Sequence, residues 1–116
     1  MPEAGLIPIP KKLAKQGVKD MVRISDGRMS GTASGTIILH VTPESYENGP
    51  LAIVENGDLI KLDVPKRKID SMISEEEIAE RLLKRKELSI RRRGYNKIYM
   101  EHVTQADRGV DFDFLI

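Results

Sequence analysis

Apolar and polar residues alternate along this chain with a period that changes several times, and each change marks an element. The opening MPEAGLIPIP contains three prolines and reads as extended or turning, since each ring biases its predecessor away from the helix. Pro10 then suits the start of a short helix running to Gln16, closed by Gly17. Residues 21–24 alternate as a strand, and residues 25–35, rich in glycine and serine, read as a loop. TIILHV at residues 36–41 is short, mostly apolar and β-branched, as a buried strand would be. Residues 43–49 form a connection. Two further strand-like runs, 51–54 and 59–64, flank Glu55-Asn56-Gly57-Asp58, and Asn-Gly is the favoured pair for a tight hairpin. Another short strand is predicted over 68–72. Ser74 with Glu77 three residues on makes a capping box, and Ile78, Leu82 and Leu83 give the helix behind it a narrow apolar stripe. Tyr95, Ile98, Tyr99, His102, Val103 and Ala106 recur at helical spacing, which predicts a second helix over 95–106. The tail DFDFLI should be extended and anchored by Phe112, Phe114 and Leu115. Strands come first and helices largely last, which suggests an α+β fold or a barrel-like sheet with helices at one side.

Composition narrows what such a chain can do. Its 116 residues predict a single domain, 1–116. With 19 basic against 18 acidic residues the net charge is only +1, which argues against a general electrostatic footprint for nucleic acid or anionic membrane. Cysteine is absent, so disulfides, thiolate zinc sites, a cysteine nucleophile and an iron–sulfur cluster held by this chain alone are excluded. No apolar run is long enough to span a bilayer, and prolines interrupt the start where a secretory signal would lie. A cytoplasmic location is the expectation.

Candidate chemistry concentrates in Asp26-Gly27-Arg28-Met29-Ser30-Gly31-Thr32. Closely spaced glycines let backbone amides approach a ligand, and such nests bind anions. Arg28 adds a fork suited to carboxylate or phosphate, and Ser30 and Thr32 add hydroxyls. The spacing fits neither a nucleotide phosphate loop nor a hydrolase nucleophile elbow. On local pattern the segment reads equally as an anion nest or as an ordinary strand-to-strand loop. Glu3, on composition alone, is a solvated carboxylate. His40 inside the 36–41 strand and His102 on the second helix's apolar side read as packed histidines rather than ligands. Arg91-Arg92-Arg93, with no aromatics interleaved, reads as a solvated face or a subunit contact rather than a nucleic-acid site.

Taken together, MPEAG, SDGRMSGTASGT, LHVTPE, NGPLAIVENGDLIKLDV and ISEEEIAERL resemble, in this order, the C-terminal domain of the dihydroxy-acid and phosphogluconate dehydratases. The Gly-Thr after the loop, Leu39-His40 and the ending QADRGVDFDFL resemble the sugar-acid branch, which dehydrates pentonates. The branched-chain amino-acid enzymes usually carry Phe where Met29 stands and Gly-His where Leu39-His40 stands. The resemblance implies a swivelling, β-barrel-like domain with flanking helices that lids the active site of a larger N-terminal domain. It implies a hydro-lyase that converts a 2,3-dihydroxy acid to a 2-keto-3-deoxy acid with an iron–sulfur cluster and magnesium, both held mainly by that other domain. By motif, Ser30 maps to the catalytic base and Glu3 to a magnesium ligand, while Thr32 and Arg28 would contact substrate.

The segments upstream of MPE in that family are missing here, so the chain is expected to be a C-terminal fragment, inactive alone, whose partners are the N-terminal domain, the sugar acid and further copies in a homo-oligomer. Two other readings stand beside it: a dihydroxy-acid dehydratase of branched-chain amino-acid synthesis, and a free-standing binding or assembly module of the same fold. Nucleic-acid binding through residues 91–93 is the least favoured.

Overall fold

The computed structural model describes residues 7–29, 34–86 and 93–115. Helix α1 (Lys11–Lys15) follows Pro10, whose carbonyl accepts the Ala14 N–H at 3.0 Å. Gly17, at φ +85°, ends it by turning the chain back, so that the Val18 N–H reaches the Leu13 carbonyl at 3.1 Å. Strands β1 (Arg23–Ile24) and β2 (Ile37–Ile38) pair in parallel, Arg23 opposite Ile37 and Ile24 opposite Ile38. Parallel pairing needs a connection of about a dozen residues, and the predicted 25–35 loop supplies it.

Both strands are shorter than predicted. His40 sits at φ +56°, a left-handed conformation incompatible with a strand, and its side chain is exposed rather than packed. Residues 45–47 and 50–52 form two short 3-10 turns separated by Asn48 in the left-handed region. The 50–52 turn corrects the expected strand at 51–54: Pro50 opens a turn there, and Ile53 is buried. Asn56-Gly57 still turns the chain, with the Asp58 N–H on the Glu55 carbonyl at 3.1 Å. The hairpin itself lies one segment later. β3 (Ile60–Asp63) pairs antiparallel with β4 (Lys68–Ser71), Ile60 opposite Ser71 and Asp63 opposite Lys68, around a turn in which Arg67 has positive φ.

Helix α2 (Glu75–Lys84) is capped as predicted by Ser74, whose hydroxyl accepts the Glu77 N–H at 3.2 Å. Its apolar stripe is narrower than expected, since Leu83 is 88% exposed. Helix α3 (Tyr95–His102) stops four residues before the predicted end. There Val103 leaves the helix to bridge Phe112, and the Thr104 N–H donates to the Asp111 carbonyl at 2.9 Å. His102 accordingly lies beside the Asp113 carboxylate at 3.1 Å instead of inside a core. The tail makes a 3-10 turn at Asp113–Leu115; Phe112 is half-buried, but Phe114 and Leu115 remain exposed.

The described residues thus form a mixed α+β arrangement with two separate two-stranded sheets and no closed barrel among them. Among the described residues Met29 and Ile53 are the buried hydrophobics, and the buried Arg28 lies beside Met29 in the chain. The hairpin meets the rest of the molecule across an apolar groove of about 150 Å³ lined by Ile24, Val41, Leu51, Val54, Ile60 and Ile69. Among the described residues no helix is long and apolar enough to cross a membrane.

Candidate functional site

The 25–35 loop leaves and re-enters the structure through a pinned neck. The Asp20 carboxylate accepts the Thr36 hydroxyl at 2.7 Å and the Thr36 N–H at 3.0 Å. These bonds, the hydroxyl's first, hold the Asp20 carboxyl below the ordinary aspartate range. Arg23 donates to the Ser34 carbonyl at 2.8 Å on the loop's exit side and to the Ile7 carbonyl at 2.6 Å on the other. Gly35 has φ +85°, and a Cβ there would approach the Asp20 Oδ1 at 2.5 Å, so this exit suits glycine.

Besides the Val41 N–H bond to the Ser25 carbonyl at 3.2 Å, three contacts clamp the entry side of the loop to the 40–45 segment. Asp26 Oδ2 accepts the Ser45 N–H at 2.5 Å. Arg28 Nη2 donates to Glu44 Oε1, and the Met29 N–H donates to His40 Nε2 at 3.3 Å. A local bond adds to these, the Gly27 N–H donating to the Ser25 hydroxyl at 2.9 Å. The segments DGRM and HVTPES are therefore joined pairwise in space, Asp26 to Ser45, Arg28 to Glu44 and Met29 to His40.

Glu44 is itself held from the C-terminal part of the chain. Its Oε1 accepts the Tyr99 hydroxyl at 3.3 Å, and its N–H donates to Gln105 Oε1 at 2.8 Å. The Arg28 guanidinium also lies 5.5 Å from the Tyr99 ring centroid, a cation–π distance. Burial, then the neighbouring Glu44 charge, raises the Tyr99 pKa above the ordinary tyrosine value, so the phenol stays protonated as a donor. Arg28 is only 7% exposed, and its Nε and Nη1 have no hydrogen-bond partner among the described residues. A buried cation this incompletely bonded needs its one carboxylate, since an unpaired charge in the interior is strongly unfavourable.

Of the residues singled out from sequence, Arg28 lies in this clamp, held by a carboxylate of its own chain. Ser30, Thr32 and Glu3, together with Arg91 and Arg92, lie outside the described residues. Asp20, Arg23, Glu44, Tyr99 and Gln105 were not anticipated. Glu44 stood in view inside the LHVTPE motif, whereas Tyr99 read as part of an apolar helix stripe. A cleft of about 410 Å³ opens next to the clamp, lined by Thr42, Pro43, Glu47, Gln105, Asp107 and Arg108.

Metal and cluster chemistry finds little footing in these side chains. An iron–sulfur cluster needs thiolates, and the chain has no cysteine. Among the described residues no three His, Asp or Glu side chains gather as a cation site. Neither group fits the residues described.

Comparison with known proteins gives the arrangement its context. L-arabinonate dehydratase of Rhizobium leguminosarum bv. trifolii is 50% identical over 99% of this chain. 6-Deoxy-6-sulfo-D-gluconate dehydratase of Pseudomonas putida is 47% identical over 99%. Dihydroxy-acid dehydratase of Pyrococcus abyssi is 45% identical over 81%. The chain covers 20%, 20% and 17% of these relatives, so it spans about one fifth of the length of the curated proteins it matches. Residues 1–110 match the model of the dihydroxy-acid/6-phosphogluconate dehydratase C-terminal domain. With the DGRM loop tied to its HVTPE partner segment, and nearly the full length matched, the chain belongs to the C-terminal domain family of the dihydroxy-acid and 6-phosphogluconate dehydratases.

Proposed function

We propose that this chain is the serine-bearing C-terminal domain of a hydro-lyase that removes water from a 2,3-dihydroxy sugar acid to give a 2-keto-3-deoxy acid. The observation that carries the reading is the clamp of Asp26, Arg28 and Met29 onto the 40–45 segment, which fixes the backbone immediately before Ser30. The sugar-acid branch is favoured over a dihydroxy-acid substrate by 50% identity across 99% of the chain against 45% across 81%.

The proton on C2 of a hydroxy acid is tightly held, and its removal needs a base within about 2.6–3.2 Å. A serine hydroxyl serves only where amide groups or positive charge stabilise its alkoxide. Ser30, which follows the clamped Asp26-Gly27-Arg28-Met29 run in the chain, would take the C2 proton. The C3–oxygen bond would break with loss of water, and the resulting enol would gain a proton at C3 as its own hydroxyl proton leaves, giving the 2-keto acid. Thr32 and Arg28 would contact the substrate. Glu3 would be a magnesium ligand only together with ligands from the longer protein, which would also hold the iron–sulfur cluster.

In this reading the domain swivels as a lid over the N-terminal part of the same dehydratase, within a cytoplasmic homo-oligomer. Barrel closure would recruit further strands to the open edges of the two small sheets. The test is a graft in which residues 1–116 replace the matching fifth of the Rhizobium leguminosarum L-arabinonate dehydratase. The graft should dehydrate L-arabinonate, and Ser30→Ala should lower kcat by about 1,000-fold or more with substrate binding retained, the scale of losing a principal catalytic group. An inactive graft, or a Ser30→Ala graft of near-parental kcat, overturns the assignment.

A further inference from the structure

We propose that Glu44 is the positioning residue of the serine loop, linking the backbone before Ser30 to helix α3 and the 105 turn. The inference rests on Ser30 being the base and adds how that base is held. Glu44 ties the serine loop to the C-terminal part of the chain. It accepts from Arg28, two residues before Ser30, and from the Tyr99 hydroxyl at 3.3 Å, and its own N–H is fixed by Gln105 at 2.8 Å. Among the described residues the buried Arg28 guanidinium has one hydrogen-bond acceptor, the Glu44 carboxylate, which therefore sets where it rests. Gly49 keeps Glu44 in place from the other side. Its N–H donates to the Glu44 carbonyl at 2.9 Å, and a Cβ at Gly49 would meet the Pro43 carbonyl oxygen at 1.7 Å. Displacing a base by about 1 Å costs on the order of 100-fold in rate, so a residue that never touches substrate can control turnover.

Three variants of the graft test this. Glu44→Gln should lower kcat about 100-fold while KM changes less than about threefold, the pattern of an interaction lost in the transition state alone. Amide exchange over residues 26–29 should rise in parallel. Arg28→Met with Glu44→Leu removes both charges at similar volume and should restore thermal stability without restoring kcat. Recovery of kcat together with Tm would make the pair structural only and overturn the proposal. If the charge variants do not fold, Tyr99→Phe decides, since it deletes one hydroxyl: kcat about threefold lower at unchanged KM supports the relay, and an unchanged kcat overturns it. A Ser30→Ala graft that stays active defeats the base assignment, whereas a Ser30→Ala loss with normal Glu44→Gln kinetics defeats only this inference.

Discussion

A buried or half-buried guanidinium obliges its neighbours to answer its charge, as Arg28 and Arg81 show. Arg28 is answered by Glu44 and the Tyr99 ring. Arg81, on α2, is answered by Asp58 through two bonds at 2.5 and 3.1 Å, by Glu77 at 2.5 Å and by the Ile53 carbonyl at 3.0 Å. The Arg81 bonds, followed by the Glu55 N–H, hold the Asp58 carboxyl below the ordinary aspartate range. A carboxyl whose folded pKa is lowered contributes stability above its ordinary value, about 3.9, and loses it as pH falls through the lowered one. Asp58→Asn should therefore speed amide exchange in α2 at neutral pH, with the gap to the parent closing below about pH 4. A gap independent of pH would show that the charge does not matter. Arg28 was legible in sequence as a lone fork in a glycine-rich loop, but its carboxylate partner was not. Sixteen positions separate Arg28 from Glu44 and fifty-five separate Glu44 from Tyr99, and no local period encodes such pairs.

Elements whose signals are local formed where the pattern placed them. The α2 cap depends on one hydroxyl and one N–H three residues apart, and both are found. Glu77 does not complete the box, because Arg81 takes its carboxylate. Ser74→Ala should cost about 1 kcal/mol of local stability, read as roughly fivefold faster exchange of the Ile78 N–H, which bonds the Ser74 carbonyl at 3.0 Å. An unchanged rate would mean that packing alone holds that end. The hairpin is the instructive departure. Asn56-Gly57 carries the stronger turn signal, and it does turn the chain, but a hairpin also needs a strand on each side. Pro50 lacks an N–H for a ladder and opens a 3-10 turn instead, so the strand after Asn56-Gly57 pairs forward with 68–71. Helix α3 likewise ended early because Val103 and Thr104 found backbone partners at Phe112 and Asp111, a choice made by contact across a turn.

At the scale of the molecule, surface is in excess. The chain exposes 9081 Å², whereas a folded monomer of its mass exposes about 6,400 Å². Its radius of gyration is 16.1 Å against about 13.4 Å for a compact chain of this length. Leu59, Val64 and Met72, on or beside the hairpin, are 74%, 70% and 60% exposed, and a lone two-stranded hairpin is marginal in water. Backbone amides at 60–63 and 68–71 should exchange at near-unstructured rates in the chain by itself and become protected at least tenfold in the graft, as the proposed lid role requires. Equal rates in both would show that the hairpin faces water in the graft too. The amino-acid order by itself determined the loop, the capped helix, the absence of cluster-binding thiolates and the family, because these reside in neighbouring residues or in contiguous motifs. Which carboxylate meets Arg28, which strand the hairpin joins and how much apolar surface stays open were decided only by tertiary structure, because each depends on distant segments meeting and on how much of the burial they achieve together.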